Sequence, residues 1–267
     1  MNARRKFSHT PPEVLLMKVS IIIPLKNQTD KVLYNIEHKI MPYFNKTGLT
    51  YDIILSPNGS DPKENKRLVK ACSELSAAIK VLPLQKKGAK GLGVRKGIEA
   101  SSADYDLIMD ADLATDLSAF DDIQPALGEY DAFVADRDMA GSDANHGHLI
   151  RRLAHRISRD LVRRKFHLKD IHDTQCGFKC YRDSVAKLMV KHQRLDGIAY
   201  DVEHAYFLTL NGFKIKSVPV KWSNDKDTSI PFFSASSEFA GDLRDIKKHT
   251  QDYLLTIEEK ESSHVNR

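Results

Sequence analysis

The chain has 267 residues, enough for one large domain with a small appendage and a sizeable core. Charged residues make up 29% of it and no apolar run approaches the roughly 20 residues of a membrane helix, which speaks against a membrane-embedded chain. The net charge of +5 is too small to name a partner, and three cysteines, Cys72, Cys176 and Cys180, are too few and too scattered for a disulfide framework or a zinc site. Reduced thiols in a cytoplasmic setting are expected. The first 17 residues are basic and hold only Val14-Leu15-Leu16-Met17 as an apolar run, shorter than a signal peptide requires, so export is not expected.

Lys18 to Pro24 reads as a buried strand, β-branched and stopped by proline. A helix is predicted from about Asp30 to Phe44, a second strand over Tyr51 to Leu55, and a turn at Ser56-Pro57-Asn58-Gly59-Ser60. A helix over Pro62 to Ala78, with Leu68, Cys72 and Leu75 on one stripe, leads to a third strand at Ile79 to Leu82. The segment Lys86 to Arg95 opens a helix that runs to Ala100. Its glycines would let backbone approach a phosphate, and Lys87, Lys90 and Arg95 bring positive charge, although the spacing fits neither a Walker loop nor a dinucleotide fingerprint. A solvated loop would have the same composition.

Strand Tyr105 to Asp110 ends in Asp110-Ala111-Asp112. Strand alternation would point both carboxylates the same way, so that they could meet one hard cation, Mg2+ or Mn2+, whose remaining shell comes from water and phosphate oxygens. Acidic pairs at strand ends are also ordinary solvated loop residues. A helix over Ser118 to Leu127 and a strand over Tyr130 to Ala135 complete a β-α alternation, which predicts an α/β fold with a mostly parallel sheet and helices on both faces. Ligands in such sheets sit at the carboxyl ends of strands, where Pro24, Asn58, Gly88 and Asp110 all fall.

The second half changes character. Arg137 to His148 is a polar loop whose His146 and His148 read as solvated rather than as metal ligands. Leu149 to Phe166 is predicted to be an amphipathic helix, with Leu149, Leu153, Ile157 and Leu161 on its buried face. Arg152, Arg156, Arg159 and Arg163 form a stripe on the other side, with Arg151, Arg164 and Lys165 on the same helix. Such a stripe is either simply solvated or drawn to anionic lipid or phosphate, each cation near a lipid surface contributing about 1 kcal/mol. Nucleic acid is not expected, because no aromatics interleave with the arginines. His172 to Cys180 reads as a compact polar turn, followed by helices at Ser184 to His192 and Tyr200 to Leu210 and a strand at Lys214 to Val220. Trp222 precedes a loop over Ser223 to Ser229, and Ser234 to Glu259 reads as one amphipathic helix bearing Phe239, Leu243 and Ile246, so that a tail over residues 233–267 follows a domain over 18–232 and an extension over 1–17.

Val19 to Pro24 with Asn27, Asn58-Gly59-Ser60, Lys87-Gly88-Ala89-Lys90-Gly91 with Val94-Arg95 and Gly97, and Asp110-Ala111-Asp112 resemble family-2 inverting glycosyltransferases with the GT-A nucleotide-diphospho-sugar transferase fold. Asp173-Thr174-Gln175-Cys176-Gly177-Phe178-Lys179 is more specific. With Tyr200-Asp201-Val202-Glu203, Gly212 to Ile215 and Val218 to Trp222, it resembles the dolichyl-phosphate glucosyltransferase and bacterial polyprenyl-phosphate glycosyltransferase branch.

The resemblance implies a UDP- or GDP-linked sugar lying across the sheet edge, contacted by Pro24, Leu25, Asn27, Asn58, Lys87, Gly88, Lys90, Arg95, Asp110 and Ala111. It implies a metal on Asp112, and a polyprenyl phosphate acceptor met by Arg137, Arg152, Arg156, Asp173, Gln175 and Lys179. Asp110, Asp112, Arg137 and Asp201 are the implied catalytic set. A lipid phosphate is already ionised and needs no general base, whereas a glycan hydroxyl would need one, with Asp201 or Glu203 as candidates. A catalytically silent sugar-nucleotide-binding domain is a third reading, because Lys26-Asn27-Gln28 and Pro57-Asn58 stand where the family carries carboxylates, and Asp136 stands where it carries serine. The expected location is peripheral, on the cytoplasmic face of an anionic membrane, with recruitment by a separate membrane protein left open.

Overall fold

In the computed structural model, residues 11–145, 159–223 and 232–264 are described. A short helix α1 (Pro12–Leu15) precedes strand β1 (Lys18–Leu25). Helix α2 (Thr29–Asn35) continues through a wider π turn (Ile36–Ile40) into α3 (Met41–Phe44), where Pro42 has no N–H to donate to the preceding turn. Strand β2 (Thr50–Pro57) leads to α4 (Pro62–Leu75), whose first turn is capped by the Asp61 carboxylate accepting from Lys63 N at 2.7 Å. Then come β3 (Ile79–Val81), α5 (Lys90–Ala100) and β4 (Tyr105–Ile108).

The helix predicted after β4 is instead three short turns, 3-10 at Leu117–Ala119, α6 (Phe120–Ile123) and 3-10 at Gln124–Ala126, with Pro125 inside the last. Strand β5 (Ala132–Asp136) and a short β6 (Asp143–Asn145) follow, and residues 159–166 form α7. The rest is β7 (Lys179–Arg182), α8 (Asp183–His192), α9 (Tyr200–Leu210), β8 (Ile215–Pro219), β9 (Lys221–Ser223), α10 (Phe232–Lys248) and α11 (Ile257–His264). The tail predicted as one helix is therefore two, separated by a 3-10 turn (Thr250–Tyr253) that buries Tyr253.

The main sheet has the order β3-β2-β1-β4-β7-β5-β8, and β6 pairs with β9 in a separate two-stranded sheet. All pairings in the main sheet are parallel except those of β7, which runs antiparallel to both β4 and β5. The sequence pattern predicts a turn for Lys179 and Cys180. They instead open a central strand, because four fully buried residues can satisfy their backbone groups only in a ladder. The consequence is positional: Ile108 and Val134 both pair with Lys179, so the start of β7 lies at the carboxyl ends of β4 and β5.

One sheet face packs against α2, α3, α4 and the turns over 117–127, the other against α5, α7, α8, α9 and α10. On α7 the apolar face differs from the predicted one. Val162 and Phe166 are buried, with the Phe166 ring 5.0 Å from that of Tyr206, while Leu161 is 62% exposed. Arg159 turns back to an ion pair with Asp138. Aromatic packing on α9 sets this rotation, roughly one residue away from the leucine stripe. The remainder of that predicted helix, including Arg151, Arg152 and Arg156, lies outside the described residues, as do His146 and His148 of the loop before it.

At the opposite end of β4, Asp106 is fully buried. Burial first, and then the like charge of the neighbouring Asp183 carboxylate, push its pKa well above the ordinary carboxylate value. A raised folded-state pKa contributes stability at acid pH that is lost as pH rises through it. Asp106→Asn is therefore expected to be more stable than the wild type at pH 8 by about 1 kcal/mol or more in urea unfolding, with the gap closing towards pH 4. A gap that is constant with pH would contradict the protonated form.

Candidate active site

Beyond Ile108 the chain leaves the strand, and a turn closes with Leu113 N donating to Asp110 O at 3.1 Å and Leu113 at φ 52°. Strand alternation therefore does not bring Asp110 and Asp112 together; the turn does. Asp112 is half-buried and its carboxylate accepts from Ala114 N at 3.0 Å. Burial first, then the adjacent Asp110, raise its pKa, so a cation arriving there is favoured. The turn is held from behind by Asn35, whose amide donates to Ala111 O at 2.9 Å, and from the side by β9, where Asp116 N donates to Lys221 O and Ser223 N to Ala114 O, each at 2.9 Å.

Three ion pairs surround this turn. Lys90, the first residue of α5, reaches Asp110 at 2.6 Å. Lys179, at the start of β7, pairs with Asp201 in the first turn of α9, both almost fully buried. Arg137, one residue past β5, grips Asp173 through Nε at 2.6 Å and Nη2 at 2.9 Å, with its guanidinium 5.2 Å from the Trp222 ring centroid. The pairs share one field. Burial would raise Asp110, but Lys90, Lys179 and Arg137 together hold it below the ordinary value. Burial opposes the charge on Lys90, yet Asp110, Asp201 and Asp112 hold its pKa above normal. Asp173, despite complete burial, is likewise held low by Arg137.

Of the other residues implied for the site, Arg152 and Arg156 lie outside the described residues, and the rest have varied partners. Pro24 and Leu25 are buried at the end of β1. Asn27, at φ 51°, accepts from Asp61 N at 2.7 Å and ties the β1 loop to the β2 loop. Asn58 is buried and donates to Leu25 O and Ser56 O at 3.3 and 3.1 Å. Gly88 lies against Gly59, where a Cβ on Gly59 would come 2.5 Å from the Gly88 Cα. The later glycines face protein: a Cβ on Gly93 would meet Asn58 and Pro24, and one on Gly97 would sit 2.2 Å from Ile22. Lys87 and Arg95 both turn to Asp196, which sequence reading had not singled out. Gln175 donates its backbone N–H to Asp173 at 3.2 Å.

Glu203 is taken out of consideration as a base. It is buried and accepts from Arg194 N at 2.6 Å, Leu195 N at 3.0 Å and Tyr253 OH at 2.8 Å. Among the described residues no group of three or more His, Cys, Asp or Glu side chains forms a ligand cluster. A cation at Asp112 would thus complete its shell from water and phosphate oxygens, which suits Mg2+ or Mn2+ and not a metal needing an all-protein cage.

Gly177 makes the Asp110 position possible, since a Cβ there would lie 2.0 Å from its Oδ2. Gly177→Ala is expected to displace that carboxylate from Lys90, costing about 1–3 kcal/mol in urea unfolding. The Asp110 pKa, followed by carboxyl NMR, should rise towards its ordinary value. An unchanged Asp110 titration would show that the carboxylate does not depend on the missing side chain.

A model of glycosyl transferase family 2 matches residues 20–188. The chain is 26% identical over 254 residues to a dolichyl-phosphate beta-glucosyltransferase of Dictyostelium discoideum, covering 90% of this chain and 76% of that one. It is 27% identical over 233 residues to the Homo sapiens protein of the same name, covering 81% and 71%. Among solved structures, glucosyl-3-phosphoglycerate synthase from Mycobacterium tuberculosis in complex with Mn2+, UDP and phosphoglyceric acid superposes with a TM-score of 0.61 at 13% identity, covering 90% of this chain and 80% of that one. Mannosyl-3-phosphoglycerate synthase from Rubrobacter xylanophilus superposes at 0.59 and 13%, covering 94% and 82%. At such identities the structures speak for the fold, while the family match spans more than half of the sequence: this chain belongs to glycosyl transferase family 2 and is a glycosyltransferase with the GT-A fold.

Proposed function

We propose that the chain transfers a hexose, with UDP-glucose the favoured donor, to a polyprenyl phosphate with inversion at the anomeric carbon. The observation that carries this reading is the meeting of Lys90–Asp110, Lys179–Asp201 and Arg137–Asp173 around Asp112 at the carboxyl edge of the sheet. The relatives named dolichyl-phosphate beta-glucosyltransferase supply the acceptor class. The catalytic domain in this reading spans residues 18–232.

A phosphate monoester oxygen, already ionised, attacks the anomeric carbon as the bond to the diphosphate oxygen breaks, so positioning and charge stabilisation suffice. Asp201 is held in its ion pair by Lys179, and Glu203 is saturated by three donors. Neither is poised to take a proton from a sugar hydroxyl, which favours a phosphate acceptor over a glycan. Arg137, held flat by Asp173 and Trp222, presents a fixed positive charge to the acceptor side. Lys90 holds Asp110 ionised on the donor side. Asp112, with Asp110 beside it, would hold a divalent cation, which would offset charge on the departing diphosphate.

A peripheral position on the cytoplasmic face of the membrane accords with two features. No helix among the described residues is long and apolar enough to cross a bilayer. Exposed Leu161 stands beside exposed Arg164 and Lys165, an arrangement that suits an anionic headgroup region better than the inward-turned Arg159 does.

Incubation with labelled UDP-glucose, Mn2+ and polyprenyl phosphate is expected to give lipid-extractable label, reduced by about 100-fold or more in Asp112→Asn. Label appearing only on a glycan, or persisting in that variant, would overturn the reading. Binding to vesicles with anionic lipid should weaken with salt and fall by about 30-fold when Leu161→Ser, Arg164→Gln and Lys165→Gln are combined, each cation contributing about 1 kcal/mol. Equal binding by the triple variant would remove this face from the membrane contact.

A further inference from the structure

The segment between α8 and α9 makes a set of contacts that the transfer reaction as described does not use. Asp196 accepts from Lys87 Nζ at 3.0 Å through Oδ2 and from Arg95 Nη2 through Oδ1, so one carboxylate holds both cations that flank the glycine stretch 88–93. Its backbone carbonyl accepts from Leu92 N at 3.1 Å, in the first turn of α5. Gly91 lies so close that a Cβ there would come 2.8 Å from that same oxygen and 2.7 Å from the Tyr200 Cβ. Gln193 adds a bond from its amide to Gly91 O at 3.1 Å, while its own carbonyl accepts from Arg95 Nη1 at 3.2 Å.

This segment is itself fixed from the far side. Glu203 takes the N–H groups of Arg194 and Leu195, and Tyr253, in the turn between α10 and α11, donates its hydroxyl to the same carboxylate. His204 Nε2 donates to Gln193 Oε1 at 3.1 Å. Burial, then Lys179 and Arg95, lower the His204 pKa to about 3, so this ring stays neutral and the bond holds across the working pH range. Further clasps join the tail to α8 and the segment after it: Lys191 to Glu259 at 2.7 Å and Arg194 to Asp252 at 3.1 Å.

Lys90, which reaches Asp110, is the residue immediately before Gly91, in the turn that this network holds. We propose that Asp196 is a positioning residue for the donor half of the site, clasping Lys87 and Arg95 so that the glycine stretch and Lys90 are set against the Asp110 turn, with the C-terminal segment bracing it through Tyr253 and Glu203. The proposal rests on the transferase reading for its kinetic consequence and on geometry alone for its structural one. It gives residues beyond the stretch matched by the family model a role in the donor site, one that the amphipathic pattern of the tail does not announce.

The full chain carrying Asp196→Asn tests it by two independent readouts. Amide hydrogen exchange over residues 88–95, measured without ligand, is expected to quicken about tenfold while the central strands keep their protection. In the transfer assay the donor KM is expected to rise about fivefold to tenfold with kcat within about twofold, and Asp196→Glu should recover most of the loss. Arg95→Gln, which removes one of the two clasped cations, should shift both readouts in the same direction by about half as much, and decides the matter if Asp196→Asn does not fold. Unchanged exchange over 88–95 in a folded variant overturns the proposal. So does a fall in kcat at constant KM. Should the wild type transfer no sugar, the functional reading fails and the exchange result still judges Asp196 by itself.

Discussion

Everything at this site depends on keeping buried charge paired. Asp173 and Lys179 are almost completely removed from water, and Arg137 and Asp201 nearly so. An isolated ion at such a position costs several kcal/mol, and breaking one buried pair by removing a partner typically costs about 3–5 kcal/mol. The arrangement is tolerable because each carboxylate meets a cation from a different part of the chain: Asp110 from α5, Asp201 from β7, Asp173 from the end of β5. The pairs are therefore long-range clasps between distant parts of the chain. Asp112 stands outside these three pairs, and burial first, then the adjacent Asp110, raise its pKa, so that added positive charge there is favoured.

The fold makes these clasps possible through one reversal. With β7 antiparallel between β4 and β5, the segment 172–179 arrives at the carboxyl edge of the sheet instead of the opposite edge. A parallel strand in that slot would carry Lys179 and Asp173 away from Asp110. Close backbone approach does the rest. Gly177 lets the chain pass over the Asp110 carboxylate, and Gly97 seats α5 on Ile22, which sets how far Lys90 can reach. The small β6–β9 sheet then brings Trp222 under Arg137 while its neighbours Lys221 and Ser223 bond the loop after Asp112. The loop after Asp112 and the Arg137 side chain thus share a single short strand.

Several expectations drawn from pattern met a stronger competing interaction. Lys87 and Arg95 flank glycines before a helix, where phosphate contact is expected, and both also pair with Asp196, 109 and 101 positions further along the chain. The leucine stripe of the basic helix is displaced on α7 because Phe166 finds an aromatic partner in Tyr206, and Lys247 lies over both rings at 5.3 and 4.8 Å. Glu203, a carboxylate in the first turn of α9 as expected, also serves as the acceptor for a loop and for the tail. In each case the deciding partner comes from a distant element.

The sequence by itself determined the β-α alternation and put the carboxylate pair Asp110 and Asp112 just past the end of the fourth strand. These features are written in local periodicity, in strand-end chemistry and in motif order, and backbone hydrogen bonding enforces them within a few residues. Only the tertiary structure decided that β7 runs backwards, that Asp110 and Asp112 meet through a turn, and which cations face the site and which are claimed by Asp196. The physical reason is the range of the interactions. A periodic pattern tells which face of an element leaves water, but a charged side chain goes to whichever opposite charge the folded chain brings within about 3–4 Å, and that partner is set by the packing of the whole molecule.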